Sequence, residues 1–239
     1  MKRRRLLAGA GVALLLPLSG CLSNSVDPKD HPPIPDPLTR ETVVNFVEAY
    51  ETAETHNRLR DTSSADSITV SCAAVFNREA NAAYYVITLC GATLSNEPLI
   101  GSASVGHYET YAPTYRVDEQ RVQRIEVERD VQEGADHIVR LFNFDDADHE
   151  PSLTITPLAD SKEDQILASE YALASETAVE RRVDLTVGTE YELAVELNNA
   201  DQSETFNWDV HDQSRGVGIY FTPEGTIELG PLPRDPPVT

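Results

Sequence analysis

The 239-residue chain has little lysine and little sulfur. Lysine occurs three times, against sixteen arginines and 40 acidic residues, and the only methionine is Met1. So few cations make nucleic acid and anionic lipid headgroups poor partners. A blue-copper site needs a thiolate and two imidazoles, usually with a weak axial methionine. No cysteine follows position 90, so the second half of the chain cannot form such a site.

Motifs of nucleophilic and zinc catalysis are also missing. The segment 101–106 is similar to a nucleophile elbow, but Ser102 stands where the motif has glycine, and the segment runs into a strand. No two of the six histidines have the spacing of a zinc helix motif. We therefore expect no catalytic residue, no cofactor and no strong metal site.

One acidic turn is a weak calcium candidate. Asp146, Asp148 and Glu150 alternate between two predicted strands and could offer oxygen ligands. The glycine and the distant glutamate of an EF-hand loop are absent. An acidic turn in so acidic a chain is more simply a solvated surface.

The N-terminus has the three parts of an export signal. Lys2 and the arginines at 3–5 precede the mostly apolar run 6–19, and small residues follow before Cys21. The run is shorter than the about 20 apolar residues of a membrane span. Arg3-Arg4, followed after one residue by two leucines, is similar to a twin-arginine signal, which exports folded proteins.

Leu18-Ser19-Gly20-Cys21 resembles the lipobox of prokaryotic lipoproteins. The resemblance implies that residues 1–20 are removed and that the Cys21 thiol carries a diacylglyceryl-type lipid. Two acyl chains bind a membrane stably, whereas one binds only marginally. Four of the 19 basic residues and none of the 40 acidic ones lie in residues 1–20, so the mature chain has a net charge of −25.

Residues 21–37 are expected to form a proline-rich tether. Prolines at 28, 32, 33, 35 and 37 favour extended polyproline II conformation at about 3.1 Å per residue. Such a spacer would hold the first domain roughly tens of ångströms from the membrane.

The first domain, residues 38–130, is predicted to be α+β. A helix is expected over about 38–59, with Asp36 and Thr39 as competing start signals. Apolar residues recur at helical spacing at Val43, Phe46, Val47, Tyr50 and Ala53. An antiparallel meander of four or five strands should follow, at 67–76, 83–94, 101–111, 113–117 and 121–128.

Cys72 and Cys90 are an even pair in an exported chain and are expected to form a disulfide. Cysteines on neighbouring antiparallel strands can bridge only when nearly opposite. The bridge therefore centres the hairpin turn on Asn81, whereas a turn centred on Glu79 would place Cys72 opposite Val86. Two free buried thiols are the alternative.

The second domain, residues 135–231, alternates apolar and polar residues with period two. Tyr191 and Leu193 share one face, and Glu190, Glu192 and Glu196 lie opposite. About seven short strands in about 95 residues predict an immunoglobulin-like β-sandwich. The polar residues 129–136 are the expected domain boundary, and residues 232–239 are expected to be a flexible tail.

The signal, lipobox, proline-rich tether, acidic composition and order of elements together resemble surface lipoproteins of haloarchaea, whose surfaces work in multi-molar salt. The resemblance implies a halophilic protein on the outer face of the cytoplasmic membrane, anchored by the lipid on Cys21 and exported by the twin-arginine route. It implies no activity.

Two hypotheses about function follow. The preferred one is a non-enzymatic extracellular scaffold or binding module whose partner is a protein or glycan of the cell envelope. The alternative is a cystatin-like or NTF2-like domain that binds a small ligand or acts as an enzyme. Its pocket would lie in the first sheet and be lined by Tyr84, Tyr85, His107, Tyr108, Tyr111 and Tyr115. A transporter's solute-binding protein is less favoured, because no βαβ alternation appears.

Overall fold

The computed structural model describes residues 26–96, 104–109, 112–128, 136–158, 165–198, 202–211 and 215–233. They contain one helix and fourteen strands, and the strands form three mostly antiparallel sheets. The chain is therefore mostly β, with its helix at the start, as the sequence predicts.

Helix α1 spans Arg40–Thr62 and begins at Thr39 rather than Asp36. The Thr39 hydroxyl accepts a hydrogen bond from the Thr42 backbone nitrogen at 3.2 Å, and the Thr42 hydroxyl accepts one from the Thr39 nitrogen at 2.9 Å. This reciprocal cap satisfies two amide groups that a helix start leaves unpaired. The predicted apolar face is buried except for Tyr50, which is half-buried.

The first sheet is the predicted meander. Strands β1 (Ser67–Ala80) and β2 (Ala83–Asn96) form a long hairpin. Strands β3 (Ser104–Glu109) and β4 (Thr114–Val117) both pair with the other edge of β2, and β5 (Val122–Ile125) pairs with β4. The helix covers one face of this sheet, where it contacts Val86, Tyr115 and Val117.

Cys72 and Cys90 are directly opposite in the hairpin and form the predicted disulfide. The turn was predicted to be centred on Asn81 alone. It instead consists of two residues, Asn81 and Ala82, each with positive φ. A two-residue turn of this kind suits the twist of the flanking strands. A bulge between Phe76 and Arg78 absorbs the extra residue, so the disulfide register and the turn are both satisfied.

The segment 121–128 was expected to be one strand and instead divides between two sheets. Its first part, β5, belongs to the first sheet, and the short strand β6 (Val127–Glu128) pairs in parallel with a strand of the second sheet. Val127 and Ile125 lie in the same buried cluster. The chain therefore crosses from sheet to sheet before the predicted boundary at 129–136.

In the second half, the residues that the structure describes form eight strands, where about seven were predicted. They are β7 (His137–Asn143), β8 (Pro151–Pro157), β9 (Leu167–Glu170), β10 (Ala178–Val183), β11 (Glu190–Leu197), β12 (Gln202–Asp209), β13 (Gly216–Phe221) and β14 (Ile227–Pro231). The second sheet has the order β14-β13-β7-β10-β6, and the third has the order β12-β11-β8-β9. As predicted, Glu190, Glu192 and Glu196 are exposed on β11, while Tyr191, Leu193 and Val195 are buried.

The helix and the three sheets stack as four layers. Residues of the second and third sheets, such as Leu141, Ile219 and Leu193, share the largest buried cluster. The opposite face of the second sheet packs on the first sheet, where Tyr220 meets Tyr85. Strand β13 is consequently buried on both faces, although its sequence alternates like a half-buried strand.

The proline-rich segment is not a free spacer from residue 26 onward. Residues 26–38, here called the strap, run antiparallel to the helix. The Lys29 backbone and the Asn57 side chain exchange two hydrogen bonds of 2.8 Å, and the His31 ring lies 4.4 Å from the Tyr50 ring. The proline pattern predicts an extended backbone, but it does not reveal that apolar strap residues such as Ile34 pack against the helix.

A candidate binding cleft at the hairpin end of the first sheet

A cleft of about 540 Å³ lies where the strap, the β1-β2 turn and the β4-β5 turn meet. The residues that line it are Ile34, Pro35, Asp36, Pro37, Leu38, Glu79, Ala82, Tyr84 and Glu119. Its volume falls in the range of small-ligand sites, about 300 to 1,000 Å³. Three of the lining side chains are carboxylates and none is basic, so the cleft favours a cation.

Local hydrogen bonds hold the walls of the cleft. The Tyr84 hydroxyl donates to the Leu38 carbonyl at 3.4 Å and joins the hairpin to the strap. One Asp118 carboxylate oxygen accepts hydrogen bonds of 2.8 Å from the backbone nitrogens of Gln120 and Arg121. These bonds close the turn that presents Glu119.

The charge of the neighbouring Asp118 is also fixed. Burial alone would raise the pKa of Asp118, but hydrogen bonds from the Gln120 nitrogen and from Arg116, with the Arg116 charge, outweigh it and hold the pKa below its ordinary value. Arg116 forms ion pairs with this carboxylate at 2.5 Å and with Glu224 at 2.6 Å. It therefore does not neutralise the cleft.

A buried ion-pair network lies between the helix and the first sheet. The Glu51 carboxylate, which is fully buried, accepts hydrogen bonds from the Thr55 hydroxyl at 2.8 Å, from the Tyr115 hydroxyl, and from Arg124 at 2.8 Å and 3.0 Å. Arg124 also donates to Glu126 at 2.7 Å. Protein donors occupy the acceptor positions of this carboxylate, so it has none available for a ligand.

Burial and these partners shift the pKa values of Tyr115 and Arg124 in the direction that keeps the network intact. Burial raises the pKa of Tyr115, and the Glu51 charge raises it further. Burial would lower the pKa of Arg124, but its hydrogen bonds and ion pair with Glu51 raise it overall. The network is a structural clamp that joins helix to sheet.

A second set of polar contacts joins the first and second sheets. The Asn77 side chain donates to the Tyr220 hydroxyl, and Arg78 pairs with Glu228 at 3.1 Å. Within the second sheet, Arg140 and Glu180 form a buried pair at 2.9 Å. The partners of the first two contacts lie far apart in the sequence, and spacing along the chain gives no sign of any of the three.

The three tyrosines of the predicted pocket whose side chains the structure describes do not share one face of the sheet. Tyr84 and Tyr115 lie on the helix face of the first sheet, whereas Tyr85 lies on the opposite face and packs against Phe144 and Tyr220. His107 and Tyr108 are in strand β3, and Tyr111 lies outside the described residues. Of the six candidates, Tyr84 lines the cleft.

In the weak calcium candidate of Asp146, Asp148 and Glu150, the two aspartates have separate partners. Asp146 pairs with Arg121 at 3.0 Å, and Asp148 accepts a hydrogen bond from the Ser175 nitrogen at 2.9 Å. Throughout the part of the chain that the structure describes, no three histidine, cysteine, aspartate or glutamate side chains are placed to share a metal ion.

Cys21 and the predicted export signal lie outside the described residues. No helix among the described residues combines the length and the apolar character needed to cross a membrane.

The cleft residues Asp36, Glu79 and Glu119 were not among the sequence-based candidates. They come from three segments that meet only in the fold. The signal that could have found them is the pair of polar turns, at 81–82 and 118–121, beside the strap.

Comparison with known proteins gives no relative: no family model, no curated protein and no solved structure matches the chain.

Proposed function

We propose that the chain is a lipid-anchored, non-enzymatic binding module of the cell envelope, held on the outer face of the cytoplasmic membrane by Cys21. Its cleft binds a positively charged segment of another envelope protein. The observation that carries this proposal is the cleft lining, in which Asp36, Glu79 and Glu119 surround apolar walls without a basic residue.

The halophilic setting restricts how such a partner is recognised. In about 1 M salt the screening length is only about 3 Å, so a cation gains little from distant carboxylates. Recognition must therefore come from direct contact between a lysine or arginine and the cleft carboxylates. The apolar wall around Ile34 and Leu38 can pack against the aliphatic stem of that side chain.

The second and third sheets are proposed to be an immunoglobulin-like sandwich that carries the cleft-bearing part. Two packed sheets with alternating inward residues support the proposal. The strand order of the second sheet, in which β7 lies between β13 and β10, also supports the sandwich proposal.

Site-specific photocrosslinking on native membranes in multi-molar KCl tests the binding proposal. A photoreactive residue in place of exposed Ala82 should capture a partner. The Glu79→Gln/Glu119→Gln variant should lose most of this product, because two of the three cleft carboxylates are neutralised. The matched control Glu190→Gln/Glu192→Gln removes two exposed carboxylates from β11 and should leave the product unchanged.

Two outcomes contradict the proposal. The crosslinked product could persist in the cleft variant at the control level, or the captured molecule could be a neutral glycan. Crosslinking from a photoreactive residue at Thr205, on the edge strand β12, measures contact that does not depend on the cleft.

The small-ligand alternative has one supporting observation, which is that Tyr84 lines the cleft. A tyrosine face can bind an organic cation. If this alternative holds, small quaternary amines should raise the melting temperature of the purified protein, and Tyr84→Ala should abolish the effect. No shift with such amines, together with a crosslinked protein partner, favours the module.

A further inference from the structure

The strap fixes the place on the fold from which any membrane anchor must extend. Val26, at its start, packs into a cluster with Leu59 near the end of the helix, and with Ile68 and Leu94 at the open ends of the hairpin strands. The Asp27 carbonyl lies 3.0 Å from the His56 ring nitrogen. We call this end of the first sheet the anchor end.

Little chain separates the anchor end from Cys21. Residues 22–25 are the only ones between Cys21 and Val26. A fully extended chain spans at most about 3.6 Å per residue, so Val26 can lie at most about 18 Å from Cys21. A lipid on Cys21 would therefore hold the anchor end close to the bilayer surface.

The surface chemistry of the anchor end suits such proximity. Its exposed or half-buried residues are largely uncharged, and they include Thr62, Ser63, Ser64, Ser67, Ser95 and Asn96. Among the described residues, the exposed acids here are Asp27, Asp66 and Asp61, which is paired with Arg60 at 2.6 Å. Hydroxyl and amide groups can approach an anionic lipid surface without the repulsion that bare carboxylates would meet.

We infer that the anchor end rests against the membrane and that the cleft faces away from it. The cleft lies at the opposite end of the helix, beside the strap residues that precede Thr39. A helix of 23 residues is about 35 Å long, which sets the separation between the two ends. The inference rests on the proposed lipid anchor and adds its orientation: the cleft is presented to partners beyond the headgroups.

Energy transfer from a fluorophore on the protein to acceptor-labelled lipids tests the orientation. Lipidated protein is placed in vesicles of phosphatidylcholine with phosphatidylglycerol, and an added cysteine at Ser64 or at Ala82 is labelled without reducing the disulfide. Transfer should be strong from the anchor-end Ser64→Cys and weak from the cleft-end Ala82→Cys. Equal transfer from the two sites overturns the inference.

Two further variants separate this inference from the anchor itself. Inserting about ten glycine and serine residues between Ser25 and Val26 lengthens the reach by up to about 35 Å and should reduce the difference between the sites. The Lys29–Asn57 bonds hold the strap, so Asn57→Ala with His31→Ala should also reduce it. An unchanged difference in both variants overturns the inference. Mass measurement of the lipid on Cys21 tests the anchor alone, and its absence overturns both proposals.

Discussion

Glu51→Ala is the sharpest test of what holds the helix to the first sheet. The substitution removes one carboxylate that accepts from Thr55, Tyr115 and Arg124. Glu51 is fully buried, so no water replaces it without a rearrangement of the packed layers. The donors it leaves behind are the reason to expect a large loss of stability.

The expected loss is about 3 kcal/mol. Breaking a buried ion pair by removing one partner costs about 3 to 5 kcal/mol. The lower end applies because Arg124 is 19% exposed and keeps Glu126 at 2.7 Å. For a chain of this size, 1 kcal/mol shifts the melting temperature by about 2 to 4 °C, so we expect a fall of about 6 to 12 °C.

Circular dichroism melting and denaturant titration in multi-molar KCl measure the effect. Glu48→Ala, on the exposed side of the same helix, is the control and should change stability by less than about 0.5 kcal/mol. A Glu51→Leu/Arg124→Leu double variant should lose less than the sum of its two single variants, because neither charge is stranded. A loss below about 1 kcal/mol in Glu51→Ala would refute the clamp.

Three further predictions concern the whole chain. Cys72→Ala/Cys90→Ala should lower the free energy of unfolding by about 3 kcal/mol, and two alkylatable thiols in the denatured, unreduced wild-type protein would contradict the bridge. Burial raises the pKa of Tyr85 to about 12 and also raises the pKa of Tyr220 and Tyr115. The folded state therefore keeps protons that the unfolded chain loses above its ordinary tyrosine pKa of 10.0, so stability is full below about pH 10 and falls as pH rises towards 12. Tyrosinate absorbance should show that Tyr85, Tyr115 and Tyr220 ionise only as the protein unfolds. Ionisation of all tyrosines before unfolding would contradict this prediction. The melting temperature should rise steadily from dilute buffer to multi-molar KCl because residues 21–239 carry a net charge of −25, and a constant value across that range would end the halophilic interpretation.

The local elements could be predicted from the sequence because their signals are local. The spacing of Val43, Phe46 and Val47 gave the buried face of the helix. The cysteines fixed a hairpin register that the structure contains. The alternation through β11 gave its buried and exposed faces.

What could not be predicted is which surfaces meet. Tyr220 alternates with Ile219 and Phe221 as it would in a strand with one solvated face, yet all three are buried. The second sheet packs on two partners, and period two does not reveal a second covered face. The cleft escaped prediction for the same reason, since its carboxylates come from the strap and two turns that only the packing brings together.

Three arginines of the described residues lie in buried or mostly buried ion pairs, where salt has little access. Arg116 and Arg140 are 3% exposed by side chain, and Arg124 clamps the buried Glu51. Arginine suits such sites because its planar fork binds a carboxylate through two bonds and stays charged. Each of the pairs Arg124–Glu51 and Arg140–Glu180 buries one acid with its arginine, so the excess of acid stays on the surface. Salt screens that surface but hardly affects buried pairs. The loss from Glu51→Ala should therefore be similar in dilute and concentrated KCl, while neutralising Glu190 and Glu192 should stabilise the protein mainly in dilute buffer.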